Sequence, residues 1–258
     1  NKHLLIARNI SRLVRLEEIR KDFVANVSHE LRTPLTVISG YLETLDEEFK
    51  DDEHYAISMN LMRQQTDRMC NIIEDLLLLS RIEGSEKKTQ FEQQVDVPAL
   101  IMMIKKEALV LSDGRHEISV DVDLQCKWLN AVENELRSAF TNLISNAIRY
   151  TPEGGHINFR WYRDQQQNAC FEVSDTGEGI AKHHLTRLTE RFYRVGVGRS
   201  RAAGGTGLGL AIVKHVLNHH QARLNIKSEL GKGSTFCCVF PAELVTEDDR
   251  LAQLTEKH

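Results

Sequence analysis

Four stretches of this 258-residue chain have residue types and spacings suited to chemistry. The first is Ser28-His29-Glu30-Leu31-Arg32-Thr33-Pro34-Leu35. Around it, Ile19, Phe23, Val27, Leu31, Leu35, Ile38, Leu42 and Leu45 step by three or four residues, which is the buried stripe of an amphipathic helix. His29 falls off that stripe, so its imidazole is expected to face solvent, with Glu30 beside it and Thr33 one turn on. Pro34 has no N–H for the carbonyl of Glu30, so a bend is expected just after His29. The competing reading is an exposed helical histidine with no task.

The second stretch, Asp175-Thr176-Gly177-Glu178-Gly179-Ile180, directly follows a short strand containing Phe171 and Val173. A carboxylate there can accept a hydrogen bond from a ring amino group. Adenine offers that donor, whereas guanine offers a carbonyl oxygen that a carboxylate repels. The glycines let backbone approach a flat base closely. Standing alone, this would be an ordinary Asp-Gly turn. The third stretch, Gly204-Gly205-Thr206-Gly207-Leu208-Gly209-Leu210, precedes a helix, so its N–H groups and the helix N-terminus suit a phosphate. It is neither a Walker loop nor a dinucleotide fingerprint. The fourth is Asn142 and Asn146, which share one helix face and are followed by Arg149 and Tyr150. Neutral amide oxygens suit a Mg²⁺ already shared with phosphates and water.

The elements that must carry these groups can be read from composition and period. Hydrophobic content of 41% and charged content of 27% are those of a globular chain, and a net charge of −4 argues against general nucleic-acid affinity. No apolar run reaches the roughly 20 residues of a membrane span. The first residue is Asn, so the chain reads as a fragment with an upstream part missing. Five cysteines with no C-x-x-C fit a reducing compartment and argue against a zinc or disulfide framework.

Residues 1–15 read as the end of an upstream domain or a linker, and 16–84 as a helical hairpin with its tip near Lys50 to Glu53. Its second helix carries Ile57, Leu61, Met62, Met69, Ile73, Leu76, Leu79 and Ile82 as its stripe. Two such helices cannot bury their faces alone, so a dimeric four-helix bundle is expected. The polar run 85–94 reads as a linker and 95–241 as a mixed α/β domain. Within it, helices are expected from Pro98 to about Asp113, over Glu133 to Tyr150 and from Leu210 to His219. Strands are expected at Ile118–Leu124, Ile157–Trp161, Phe171–Val173, Leu224–Ile226 and Phe236–Phe240. Residues 242–258 read as a frayed or loosely helical tail. His215 and His219, four apart, have no suitably spaced partner for a metal, His183-His184 reads as a loop pair, and Trp128 and Trp161 read as packing residues.

Taken together, these stretches resemble the sensor histidine kinases of two-component systems. Ser28 to Pro34 matches their H box, and Asn142-Leu143-Ile144-Ser145-Asn146-Ala147 resembles the N box. Asp175 to Gly179 is similar to the G1 box, Arg191-Phe192-Tyr193-Arg194 to the F box, and Gly205 to Gly209 to the G2 box. Gly231-Lys232-Gly233-Ser234-Thr235-Phe236 resembles the final strand motif. The wording around His29 and Phe192 is most similar to the phosphate-regulon branch. Thr176, where the G1 box often has Asn, departs from the pattern without touching the base contact.

The resemblance implies an α+β multidomain protein. An antiparallel helical hairpin would form the dimeric bundle, followed by an α/β-sandwich ATP-binding domain of the gyrase, Hsp90 and histidine-kinase type. His29 would be the phosphoacceptor, since an imidazole of pKa about 6.5 is mostly neutral and nucleophilic near pH 7. Glu30 would hold the other ring proton, and Thr33 would orient water for dephosphorylating the partner. ATP would be bound by Asn142, Asn146, Arg149, Tyr150, Asp175, Gly177, Gly179, Arg194, Gly205, Thr206, Gly207, Leu208, Gly209 and Thr235, with Asn146 on Mg²⁺. The partners implied are a second copy through 16–84 and a response-regulator receiver domain of the PhoB-like kind. The setting implied is the cytoplasmic part of a bacterial inner-membrane protein. The alternatives are a non-kinase ATP-gated dimerisation module, which leaves the H box idle, and a helical scaffold with a vestigial pocket.

Overall fold

A computed structural model describes residues 35–43, 45, 53–84, 93–195 and 206–246. His29, Glu30, Thr33, Pro34, Gly205, the run 85–92 and the chain beyond residue 246 lie outside the described residues. The chain divides into two compact units, Asn1–Glu86 and Lys87–His258.

In the first unit, helix α1 covers residues 35–43 and α2 spans Glu53–Gly84. Leu35 packs with Ile73 and Leu77, with Cys70 against them, so the start of α1 meets the C-terminal half of α2. The inward row of α2 is Met59, Thr66, Cys70, Ile73 and Leu77, a helical repeat of seven, four, three and four. Thr66 is tolerated inside because its hydroxyl donates to the carbonyl of Met62 at 2.9 Å. Within one chain, part of the expected stripe is left uncovered. Ile73 and Leu79 are buried as expected, but Leu61, Met62 and Met69 are exposed, together with Val37, Ile38, Tyr41 and Tyr55. The period was right, yet periodicity alone does not say which of two apolar rows faces the hairpin partner. Among the described helices none is long and apolar enough to cross a membrane.

The second unit is a two-layer sandwich. Its helices are α3 (Val97–Ser112), α4 (Glu133–Tyr150), the short α5 (Lys182–Leu185) and α6 (Gly209–His219). Its strands are β1 (Gln94–Asp96), β2 (Glu117–Val122), β3 (Trp128–Asn130), β4 (His156–Arg163), β5 (Ala169–Asp175), β6 (Arg223–Glu229), β7 (Gly233–Phe240) and β8 (Val245–Thr246). The main sheet runs β2-β4-β5-β7-β6, with β2 parallel to β4 and every other pair antiparallel.

Alternation along the strands fixes two faces. Ile157, Phe159 and Trp161 of β4, Ala169, Phe171 and Val173 of β5, and Phe236, Cys238 and Phe240 of β7 are buried on one face. There Phe140 of α4 stacks on Phe171 at 3.8 Å and reaches Trp161 and Phe240 at 6.5 and 6.3 Å. The indole N–H of Trp161 is satisfied by the carbonyl of Cys126. The other face carries Asp121, Arg160 and Glu172 as a charged ladder.

Local chemistry sets the helix ends. The Asp96 carboxylate accepts from the N–H of Ala99 at 3.0 Å and Pro98 fills the first turn of α3, while Asp113 closes it in the left-handed conformation. Helix α4 has Glu133 and Glu135 in its first turn and Arg149 in its last, which suits the macrodipole.

Three strands escaped the sequence reading. β1, β3 and β8 form a second sheet, with Trp128 opposite both Asp96 and Thr246. They are two or three residues long, too short for alternation to register. The expected frayed tail therefore begins differently: Ala242–Leu244 is a 3₁₀ turn and Val245–Thr246 pairs with β3. At the other end of the domain, Leu124 lies beyond β2 and is exposed, so that strand stops at Val122.

Candidate functional site

Asp175 ends β5 on the helix-covered face, in register with Ile157 and Ser234. Its Oδ1 accepts from the N–H of Gly177 at 2.8 Å and of Ser234 at 3.2 Å. Its Oδ2 makes no hydrogen bond among the described residues. Burial pushes the carboxyl pKa up, against the two backbone N–H groups that pull it down. One carboxylate oxygen is thus fixed by the sheet and the other is left to read a donor.

Gly177 is required by close approach. A Cβ there would run into the carbonyl of Tyr150 and lie 2.8 Å from Asp175 Oδ1. That same carbonyl accepts from the N–H of Glu178 at 3.2 Å, which ties the end of α4 to the turn after β5. Gly179 sits against the backbone of Glu229. Ile180 N–H donates to Ser228 Oγ at 2.7 Å, and Ser228 Oγ donates to the carbonyl of Gly233 at 3.0 Å. With its single proton so used, Ser228 accepts from Ser234 Oγ at 2.9 Å. Ser228 and Ser234 are therefore the supports that sequence reasoning missed. Thr235, expected at the base, lies on the opposite face, hydrogen-bonded to Ser174 at 3.1 Å. The signal was present in β7: if Phe236, Cys238 and Phe240 point inward, so does Ser234.

The residues expected at the phosphates lie on α4 and at the entry to α6. Asn142 Nδ2 donates to the carbonyl of Ser138 at 3.0 Å, which aims Oδ1 at Gly209, where a Cβ would overlap it. Gly209 opens α6, an 11-residue helix whose entry is shaped by Leu208 N–H donating to Thr206 Oγ1 at 3.2 Å. Leu208 itself is buried. Asn146, one turn beyond Asn142, is half-buried and its amide makes no hydrogen bond among the described residues. An unengaged amide oxygen beside another amide is the donor chemistry a hard divalent cation takes alongside phosphate. Arg149 and Tyr150 follow, both exposed. Phe192 N–H donates to the carbonyl of Gly207 at 2.8 Å, so the stretch containing Arg191 and Arg194 is joined to the stretch that opens α6. Both Phe192 and Gly207 hold positive φ, 62° and 75°.

The pairing of His215 with His219 is replaced by a cluster of Glu135, His219 and His220. His219 Nδ1 lies 2.8 Å from Glu135 Oε2. His220, fully buried, donates from Nδ1 to the carbonyl of Val216 at 2.8 Å and accepts at Nε2 from Val132 N–H at 3.1 Å. Both ring nitrogens are used, which fixes a neutral tautomer and leaves no lone pair for a metal. Burial pushes its pKa down.

Comparison with known proteins follows the same division. The His Kinase A (phospho-acceptor) domain matches residues 19–85, and the histidine kinase-, DNA gyrase B- and HSP90-like ATPase matches residues 131–244. The phosphate regulon sensor protein PhoR of Pseudomonas aeruginosa is 51% identical over 253 residues, 97% of this chain and 56% of that protein. The protein of the same name from Haemophilus influenzae is 38% identical over 95% of this chain and 57% of that protein. This chain spans a little over half the length of these relatives. Among solved structures, full-length ShkA in complex with AMPPNP aligns with a TM-score of 0.69 at 26% identity, over 88% of this chain and 47% of that one.

Proposed function

Starting from a chain that belongs to the sensor histidine kinases, we propose that it is the catalytic core of a phosphate-responsive sensor. In this reading it phosphorylates itself on His29 and passes the phosphoryl group to an aspartate of a PhoB-like receiver domain. The 51% identity to a phosphate regulon sensor supports the signal class. Residues 16–84 serve as dimerisation and phosphotransfer domain, 85–94 as linker and 95–241 as catalytic domain. The exposed row Leu61, Met62 and Met69 supports burial against a second copy. In the whole protein this core lies on the cytoplasmic side of the inner membrane, joined to the membrane through a segment upstream of residue 1.

The observation that carries the reading is the two-ended site of the second unit. Asp175 Oδ2 has no partner among the described residues and sits on a carboxylate held by backbone, so it accepts from the amino group of adenine. At the other end, Asn142, Asn146, Thr206, Gly207 and the N-terminus of α6 receive the phosphates, with Arg149 and Arg194 flanking. Asn146, with Asn142 beside it, would hold Mg²⁺, which would supply neutralisation of charge on the phosphates. A neutral His29 nitrogen attacks the γ-phosphorus, the bond to the β–γ bridging oxygen breaks, and ADP leaves with that electron pair. Glu30 holds the proton on the other ring nitrogen, which keeps the attacking lone pair in place. Thr33 orients the water that removes phosphate from the regulator.

The test is labelling with ATP carrying labelled γ-phosphate. The expected product is an acid-labile, base-stable phosphoprotein that vanishes in His29→Ala and chases into a receiver domain. Equal labelling of His29→Ala would refute the assignment. ATP turnover with no protein phosphate would favour an ATP-gated dimerisation module instead.

A further inference from the structure

The pair His183-His184 has no part in the nucleotide contacts described above, yet it is not on an idle loop. It lies in α5, and the rings of His183 and His184 lie tilted against each other with centroids 3.9 Å apart. His184 Nδ1 is 2.6 Å from the hydroxyl of Tyr193. On the same tyrosine the Arg187 guanidinium lies 4.3 Å from the ring centroid, a cation–π distance. Arg187 is held in turn by Glu190 at 3.1 Å, and Tyr193 N–H donates to the carbonyl of Glu190 at 3.3 Å. Tyr193 is thus gripped at its hydroxyl, its ring and its backbone. Its neighbours are the two residues that matter to the phosphate end: Phe192, bonded to Gly207, and Arg194.

We propose that His184 and Arg187 are positioning residues for the phosphate end of the nucleotide site, acting through Tyr193. They fix the backbone from Phe192 to Arg194. That backbone fixes Gly207 through the 2.8 Å bond from Phe192 N–H, and Gly207 precedes the Leu208–Gly209 entry to α6. Phe192 holds positive φ, a conformation unfavourable for a bulky residue and kept only where neighbours over-determine it. The grip on Tyr193 supplies that determination. The imidazole pKa is lowered by desolvation, by the His183 ring and by Arg187, which keeps His184 neutral beside that guanidinium. The base end is untouched, because Asp175 is held by Gly177 and Ser234 instead.

The inference rests on the ATP-binding reading, and the experiment separates the two. Affinity for ATP and for adenosine is measured on the whole chain by competition with a fluorescent ATP analogue. The variants are Tyr193→Phe, His184→Leu, the double variant and His184→Asn, whose amide can occupy the place of Nδ1. Tyr193→Phe and His184→Leu should each weaken ATP about tenfold, the scale of one hydrogen bond with its ordering effect. The double variant should lose no more than either single one, because both break the same contact. His184→Asn should recover most of the affinity, and adenosine should bind all forms alike. Unchanged ATP affinity in the single variants overturns the inference. So do losses that add in the double variant, and so does an equal loss for adenosine, which signals damage to the domain. If the unsubstituted chain binds no ATP, the underlying reading fails and takes the inference with it.

Discussion

Asp175→Asn separates the chemistry of the base end from its architecture. The substitution is isosteric. Asn Oδ1 can still accept from Gly177 at 2.8 Å and Ser234 at 3.2 Å, so the turn after β5 is kept. What changes is the outward atom: Oδ2, an acceptor with no partner among the described residues, becomes an NH₂ that only donates. Facing the amino group of adenine, it loses a charge-assisted hydrogen bond of about 1.5–3 kcal/mol and leaves two donors unpaired, at about 1–3 kcal/mol more. At 1.4 kcal/mol per factor of ten, ATP affinity should fall at least about 60-fold. Inosine triphosphate presents a carbonyl where ATP presents its amino group, so its affinity should hold or rise and the preference for ATP should collapse.

Stability without nucleotide should move the opposite way. Burial raises the Asp175 pKa in the folded state. A raised carboxyl pKa means the folded state binds the proton more tightly than the unfolded one. Its contribution is therefore present in acid and lost as pH rises through the folded value. Near neutral pH the ionised group costs stability, and Asn removes that cost. The variant should melt higher than the parent at pH 7.5, with the difference shrinking towards pH 4. Calorimetric titration and nucleotide-free melting test both halves. ATP binding within about threefold of the parent, or an unchanged ATP-to-inosine preference, would refute the assignment of Oδ2 to adenine.

Gly209→Ala should remove detectable ATP binding by filtration or calorimetry while leaving the fold intact, because the new Cβ displaces Asn142 Oδ1. His220 predicts acid sensitivity: its pKa is lowered, so its contribution is full above about pH 6.5 and is lost as pH falls below that. Urea midpoints between pH 7.5 and 5.5 should show that slope, and His220→Gln, whose amide oxygen can take the Val132 N–H, should flatten it. Phe140→Ala should destabilise the second unit by about 3–5 kcal/mol in denaturant melts, since the ring packs on Phe171, Trp161 and Phe240. Thr33→Ala should lose dephosphorylation of the receiver while keeping autophosphorylation; equal loss of both in a phosphotransfer assay would refute a separate role for Thr33.

The parts of this domain legible in the sequence are those whose period or chemistry is local. The face of α4 shows in Leu136, Phe140, Leu143 and Ala147, and Asn142 and Asn146 lie one turn apart on the same helix. Asp175 could be singled out because a carboxylate after a strand and before glycines has few uses. Thr235, implied by the motif alone, lies on the other face of β7, where strand parity puts Ser234 on the side of Asp175. The small β1-β3-β8 sheet was invisible because its partners are far apart in the chain and none is long enough to alternate. The grip on Tyr193 was invisible for another reason: it joins residues nine apart through a turn and a positive φ, which no helical or strand period describes.

This contrast bears on how the site must work. The base end is built on two strands and a turn, and every bond around Asp175 Oδ1 comes from backbone N–H. Such a support varies little with sequence and is rigid before any nucleotide arrives. The phosphate end is assembled from a helix face, a helix entry and a loop joined by one backbone bond, Phe192 to Gly207. Its geometry depends on side chains that hold other side chains. Adenine recognition should therefore be nearly insensitive to substitutions outside β5, the glycine turn after it, Ser228 and β7, whereas recognition of the phosphates should be tunable from residues as remote as His184. Base identity and phosphoryl transfer can then vary independently within the same fold. A panel of α5 variants that shifted adenosine affinity as strongly as ATP affinity would show that the two ends are coupled.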